Sequence, residues 1–174
     1  MCMQQGTIKK WDLSQDEPLP SSAEINAAIA RIEHELSVSL PEQYKGYLHL
    51  VKLQAAWCKE GNDYFLVQYN HSTIKVLMSV LSSPDKVIDL TMLLRESIYD
   101  HRTLLLPGLI AIGHDYDDEG DAYLIYDTRA DSATYGHVFH WRYYVDNLVI
   151  GDGLGRVAPS LTRFLQMPSS EDQL

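Results

Sequence analysis

A chain of 174 residues with 45% apolar side chains is long enough for one domain with a sizeable core. Its net charge of −10 argues against binding nucleic acid through clustered Lys and Arg, and favours a basic partner. No apolar run reaches the roughly 18 residues that span a bilayer, and the N-terminus lacks the apolar stretch of a secretory signal, so no membrane role and a cytoplasmic location are expected. The two cysteines, Cys2 and Cys58, form no CxxC pair, which argues against a disulfide framework or a thiolate zinc site. Cys58, after Trp57 in an apolar stretch, reads as a structural thiol.

Residues 1–20 form a polar lead-in segment without period, from which Trp11 and Leu13 can pack on the domain that follows over 21–174. Ser21-Ser-Ala-Glu24 is a capping box, and Ile25, Ile29, Ile32 and Leu36 follow at helical spacing, predicting a helix over 22–36. Pro41 suits the first turn of a second helix with Tyr44, Tyr47, Leu48 and Val51 on one face. The aromatic and branched run 63–69 predicts a strand after the Gly61-Asn62 turn, and 73–78 a second strand paired with it. Ser83-Pro84-Asp85 opens a third helix with Val87, Leu90, Leu94 and Ile98 as its apolar face. Further strands are predicted within 106–112, over 121–126 and over 137–141. The Gly151-Asp-Gly-Leu-Gly155 stretch reads as a flexible loop before a last helix near 158–167. Connections too short for parallel crossovers give an α+β fold: a mainly antiparallel central sheet with N-terminal helices and a C-terminal helix packed on it.

Catalytic equipment is not legible. G-x-S-x-G, H-E-x-x-H and P-loop motifs are missing from the sequence, and the glycine run is G-x-G-x-G rather than the dinucleotide fingerprint. His137 and His140, three apart on a strand, face opposite sides and cannot share a metal. No cofactor and no resident metal are therefore expected.

The distinctive feature is the acidic turn Asp115-Tyr-Asp-Asp-Glu-Gly-Asp121. From Asp115 to Asp131 there are seven acidic residues against Arg129 alone, which places −6 of the total charge within 17 residues. Asp115, Asp117, Glu119 and Gly120 match the opening of a calcium loop, but the position that requires a bidentate Glu is Tyr126, so the match fails. Glu119-Gly120 also serves as a plain hairpin turn. A hairpin needs only one or two acids, however, and five in seven positions repel one another until a cationic partner relieves them. The eleven tyrosines against three phenylalanines, and the cluster Trp141, Tyr143 and Tyr144, add side chains of the kind enriched at protein interfaces.

The ordered set Ile32-Glu33 to Leu36, Leu40-Pro-Glu-Gln-Tyr44 with Tyr47-Leu48, Leu109-Ile-Ala-Ile-Gly113, Gly120-Asp121, Val138-Phe-His-Trp141 and Ala158 to Leu165 resembles the SUKH superfamily over roughly 22–166. One stretch departs: the Asn-Gly-Gly type turn usual after the second helix is replaced by Lys52-Leu-Gln-Ala-Ala-Trp57. The resemblance implies a non-enzyme. Bacterial members are mostly immunity proteins that neutralise polymorphic or contact-dependent toxins, many of them nucleases, and fungal members regulate cell-wall synthesis through protein contacts. The expected partner is thus a basic toxin domain, bound through Asp115, Tyr116, Asp117, Asp118, Glu119 and Asp121, with Trp141, Tyr143 and Tyr144 nearby. The alternatives are an intracellular regulatory scaffold with an endogenous partner and a calcium- or magnesium-dependent hydrolase.

Overall fold

Ser21 accepts the Glu24 amide on its hydroxyl while the Glu24 carboxylate accepts the Ser21 amide, so both orphan donors are met and α1 runs over Ser22–Leu36. The computed structural model describes residues 3, 5–77, 80–96, 102–114, 122–142 and 144–174. Pro41 stands at the cap of α2 (Glu42–Val51), one residue before the position expected of it. α3 (Pro84–Arg95) starts with Ser83 at the cap and proline at the first position, although the serine hydroxyl makes no capping bond. α4 (Leu161–Gln166) is capped by the Ser160 hydroxyl on the Arg163 amide.

Among the described residues nine strands form one antiparallel sheet: β1 (Trp11–Leu13), β2 (Ala56–Cys58), β3 (Tyr64–Gln68), β4 (Thr73–Leu77), β5 (Val80–Leu81), β6 (Leu109–His114), β7 (Ala122–Asp127), β8 (Val138–Arg142) and β9 (Leu154–Ala158). Their order is β1-β2-β5-β6-β7-β8-β9-β3-β4. The α+β fold expected from the sequence is therefore the fold of the chain. The lead-in segment contributes more than packing. Trp11 is buried, its indole nitrogen donates to the Leu165 carbonyl at 2.8 Å, and β1 pairs with β2 at one sheet edge. Nor is the glycine run a loose loop. Leu154–Ala158 pairs with β8 and touches β3, and at Gly153 a Cβ would run into the Asn147 backbone.

Alternation along the central strands divides the core. Ile110, Ile112, Leu124, Tyr126 and Val138 face α1, α2 and α4 with Ile25, Ile32, Leu48, Phe164 and Leu165. Leu109, Ala111, Ile125, Phe139 and Trp141 face the other way, with Leu90, Leu94 and Leu154. Phe65 stacks on Phe164 at 5.0 Å and Trp11 closes over Phe164 at 5.8 Å, which ties the end of the chain to its start. Arg95 joins three elements by donating to the Leu36 and Leu109 carbonyls at 2.8 and 3.3 Å.

The departure after α2 also has a physical form. Lys52 and Leu53 both adopt left-handed backbone, with φ 54° and 62°, to end the helix. A glycine occupies that region without penalty, whereas an L side chain costs roughly 1–2 kcal/mol per residue.

Candidate partner-binding surface

Strands β6 and β7 are neighbours in register from Leu109↔Asp127 to His114↔Tyr123. Segment 115–121 lies between His114 and Ala122 in the sequence. Asp115, Tyr116, Asp117, Asp118, Glu119 and Asp121 lie outside the described residues, as does Tyr143. The strand rows beside them are well defined. Val80 faces His114, His114 faces Tyr123, Tyr123 faces Trp141, and Ala122 faces Arg142. A bulge between Ala111 and Gly113 shapes this end. There the Ala111 amide donates to the Thr91 hydroxyl at 2.9 Å instead of to the sheet, and a Cβ on Gly113 would stand 2.5 Å from the Val80 carbonyl oxygen.

The other expected contact residues separate. Trp141 has no exposed surface: its ring lies in the second core, and its indole nitrogen donates to the Val145 carbonyl at 3.1 Å. It therefore shapes the surface from beneath and is not itself the contact residue that the sequence had offered together with Tyr143 and Tyr144. Tyr144 is 62% exposed. Tyr69 and Arg142 gather beside it, and the Tyr69 phenol is raised chiefly by burial, with Arg142 pulling it down and Tyr144 pushing it up. The loop after β8 is pinned by Asp146, which accepts the Thr103 amide at 2.6 Å, while Thr103 Oγ1 donates to the Asp146 carbonyl at 2.9 Å. Asn147 Oδ1 then holds the Val149 and Gly153 amides at 3.0 and 2.9 Å. The exposed tyrosine thus stands on a braced loop rather than on a free tail.

The opposite end of β7 shows what this fold does with a buried acid. Asp127 has no exposed surface, yet it accepts the Arg129 amide at 3.0 Å, Arg129 Nε at 2.9 Å and Arg129 Nη2 at 2.7 Å, with Ser132 Oγ and Thr134 Oγ1 at 2.9 and 2.7 Å. Burial alone pushes its carboxyl up, but the bonds from Arg129, Thr134 and Ser132 together outweigh that and hold it below the usual carboxylate range. This residue organises the β7–β8 connection. It was read from the sequence only as part of the acidic run; the signal that separates it is the Ser132 and Thr134 pattern immediately downstream.

Chemistry is sparse elsewhere. Among the described residues no three His, Cys, Asp or Glu side chains gather as metal ligands. His140 is buried, neither ring nitrogen has a hydrogen-bond partner among the described residues, and burial together with the Arg142 charge brings its pKa down to about 4. Cys58 is half-buried, and burial with the nearby Asp63 pushes its thiol up to about 12, far from the thiolate that nucleophilic attack requires. No helix among the described residues is long and apolar enough to cross a membrane.

The described residues form an antiparallel α+β domain with an exposed tyrosine on a braced loop. The profile of the SMI1 / KNR4 family (SUKH-1) matches residues 26–167, and the chain belongs to that family. The SUKH family comprises toxin-immunity proteins and SMI1/KNR4 regulators, known for binding protein partners rather than for catalysis. Searches among curated proteins and among solved structures return no match to the chain.

Proposed function

We propose that this chain is an immunity protein that binds and neutralises a cognate toxin domain, with a basic toxin, such as a nuclease, approached through the acidic segment 115–121. The observation that carries the reading is the concentration of −6 charge between Asp115 and Asp131 in a member of a family built on protein contacts. A nuclease must present cations to hold phosphate, and an acidic surface competes for those cations. Charge steers the encounter and raises the association rate, while buried aromatic contact slows release. Tyr144, exposed on its pinned loop, and Tyr143 before it are the aromatic contacts of this proposal. Function is expected in the cytoplasm, where a toxin of this kind acts.

The test is co-expression of the chain with toxin genes adjacent to its own, followed by affinity purification and toxicity assay. Rescue of growth and recovery of a 1:1 complex support the reading. Converting Asp115, Asp117, Asp118, Glu119 and Asp121 to amides is expected to slow association and flatten its salt dependence; unchanged rates at low salt remove the acidic segment from the interface. An endogenous partner recovered in place of a toxin supports the regulatory role instead.

A further inference from the structure

One face of the sheet is left open where β8, β9, β3 and β4 meet. Phe139 faces Arg156, Arg156 faces Gln68 and Gln68 faces Thr73, so the register sets these four side chains in one row on one face. Phe139 belongs to the second core, but the row then leaves it: Arg156, Gln68 and Thr73 are exposed. Leu66, two residues before Gln68, lies on the same face and is 36% exposed. β9 and β3 share the single register pair Gln68↔Arg156. A continued ladder would set Leu66 against Ala158; instead both line a cavity of about 470 Å³ where the two strands part.

The cavity combines apolar walls with accessible polar groups. Leu66, Val157, Pro159 and Met167 are among the apolar residues. Gln68, Thr73, His137 and Arg156 supply the polar side chains, and all four have surface open to solvent. The His137 ring stacks on that of Phe139 at 6.2 Å, which keeps it on the same face. A concave, mostly apolar site with a few polar groups to orient its occupant is the form of a small-molecule site, and the volume falls in the range such sites have.

Charge complementarity selects the ligand. Among the described residues no Asp or Glu lines the cavity, although the chain carries 24 acidic residues against 14 basic ones. Arg156 Nη1 donates to Asn70 Oδ1 at 3.2 Å, and the guanidinium makes no ion pair with a described residue. Its one partner is a neutral amide, so its charge is uncompensated and its other N–H groups can serve a planar carboxylate. A phosphate would call for more positive charge than one guanidinium and would gain nothing from the apolar walls. An apolar amine would meet the guanidinium as a like charge. We propose that this cavity binds a small organic monocarboxylate with an apolar body. The carboxylate pairs with Arg156, and the body lies against Leu66, Val157 and Met167. The site does not depend on the acidic segment: Val138 opens β8 at the cavity, whereas Arg142 closes it opposite Ala122.

The probe is phenylbutyrate, titrated into the full chain at neutral pH and followed by proton–nitrogen NMR at the backbone amides of Gln68 and Val157. Saturable binding with a dissociation constant of about 1 mM is expected for a ligand of this size. Phenylbutanamide has the same shape without the charge and should bind about tenfold more weakly, the worth of one hydrogen bond to a charged group. Phenylbutylamine should give no saturable shift. Arg156→Gln should weaken the acid about tenfold and leave the amide unchanged. Leu66→Glu sets a carboxylate in the exposed wall and should abolish saturation by the acid, with the unfolding midpoint close to the parent's. Equal affinity for acid and amide, unchanged affinity in Arg156→Gln, or no saturable shift with the acid each overturns the proposal. So does saturation by an acetylated Phe-Asp dipeptide amide with none by phenylbutyrate, which would assign the cavity to a protein partner. The variant with segment 115–121 neutralised should bind the probe as the parent does.

Discussion

Two acidic regions flank β7, and they differ in the residues that stand next to them in sequence. At the C-terminal end Asp127 is fully buried and accepts five hydrogen bonds from Arg129, Ser132 and Thr134, all within the following seven residues. At the N-terminal end, segment 115–121 carries five acids in seven positions and no basic residue of its own. A carboxylate with local donors organises a connection; carboxylates crowded without them raise the local potential and call for a cation from outside. Acidic composition by itself does not distinguish the two, whereas the Arg, Ser and Thr that follow Asp127 in sequence, and have no counterpart within 115–121, do.

The sharpest way to break this contrast is Asp127→Ala. The substitution removes the buried acceptor of five hydrogen bonds from Arg129, Ser132 and Thr134, and is expected to cost about 3–4 kcal/mol in urea unfolding. A cost under ~1 kcal/mol would mean that the β7–β8 connection holds without its carboxylate.

His140 provides the next largest effect. It is buried like Asp127 but has no hydrogen-bond partner on either ring nitrogen among the described residues. An unfolded histidine gains its proton near pH 6.5, at about the model-peptide value, while this one waits until about 4. Between those values the unfolded chain binds more protons, so stability falls as the solution is acidified. The loss attributable to His140 is about 3 kcal/mol by the lower limit. His140→Leu should flatten the stability profile between pH 6.5 and 4. Asp127, whose folded pKa is lowered, adds a loss of the same direction at more acid pH, and the His140→Leu variant exposes it. A parent profile that is already flat from 6.5 to 4 rejects the buried neutral imidazole.

Neutralising segment 115–121 is expected to do what Asp127→Ala does not. Folding stability stays within about 0.5 kcal/mol, or rises as self-repulsion is relieved. Association with a basic partner slows by about tenfold to a hundredfold at low salt, read by stopped flow across an ionic-strength series. A large stability loss without a kinetic one would place the acids in a structural role like that of Asp127.

The smallest effect lies outside both regions. Lys52→Gly removes an L side chain from φ 54° and is expected to add about 0.5–1 kcal/mol in the same unfolding assay, since the left-handed region favours glycine. A loss instead would show that the lysine side chain contributes more packing than the strain it imposes.

Much of this was legible in advance because it is local. The capping box at Ser21 and the spacing of Ile25, Ile29, Ile32 and Leu36 locate α1 at the bounds observed, and proline after Ser83 marks the start of α3. The β3–β4 pair and the strand character of β6 to β8 follow from branched and aromatic runs between turn residues. Other elements left no such trace. β1, β2 and β5 are two or three residues long, below any readable period, and β9 is built on Leu154-Gly-Arg-Val-Ala158 after a glycine run that reads as loop. The charge of segment 115–121 was visible, but the separate role of Asp127 required the distances to its donors.

Sequence alone determined the helices with their apolar faces, the α+β class, the excess of negative charge and where it lies along the chain, because capping, periodicity and charge are properties of neighbours in sequence. Tertiary structure decided which strands pair across long separations, with β9 set between β8 and β3 and β1 recruited to the edge by β2. It also buried Trp141 while leaving Tyr144 exposed, and it brought the Tyr44 ring of α2 against that of Tyr126 from β7. Those outcomes depend on which surfaces meet when the core closes, and no local pattern encodes that meeting.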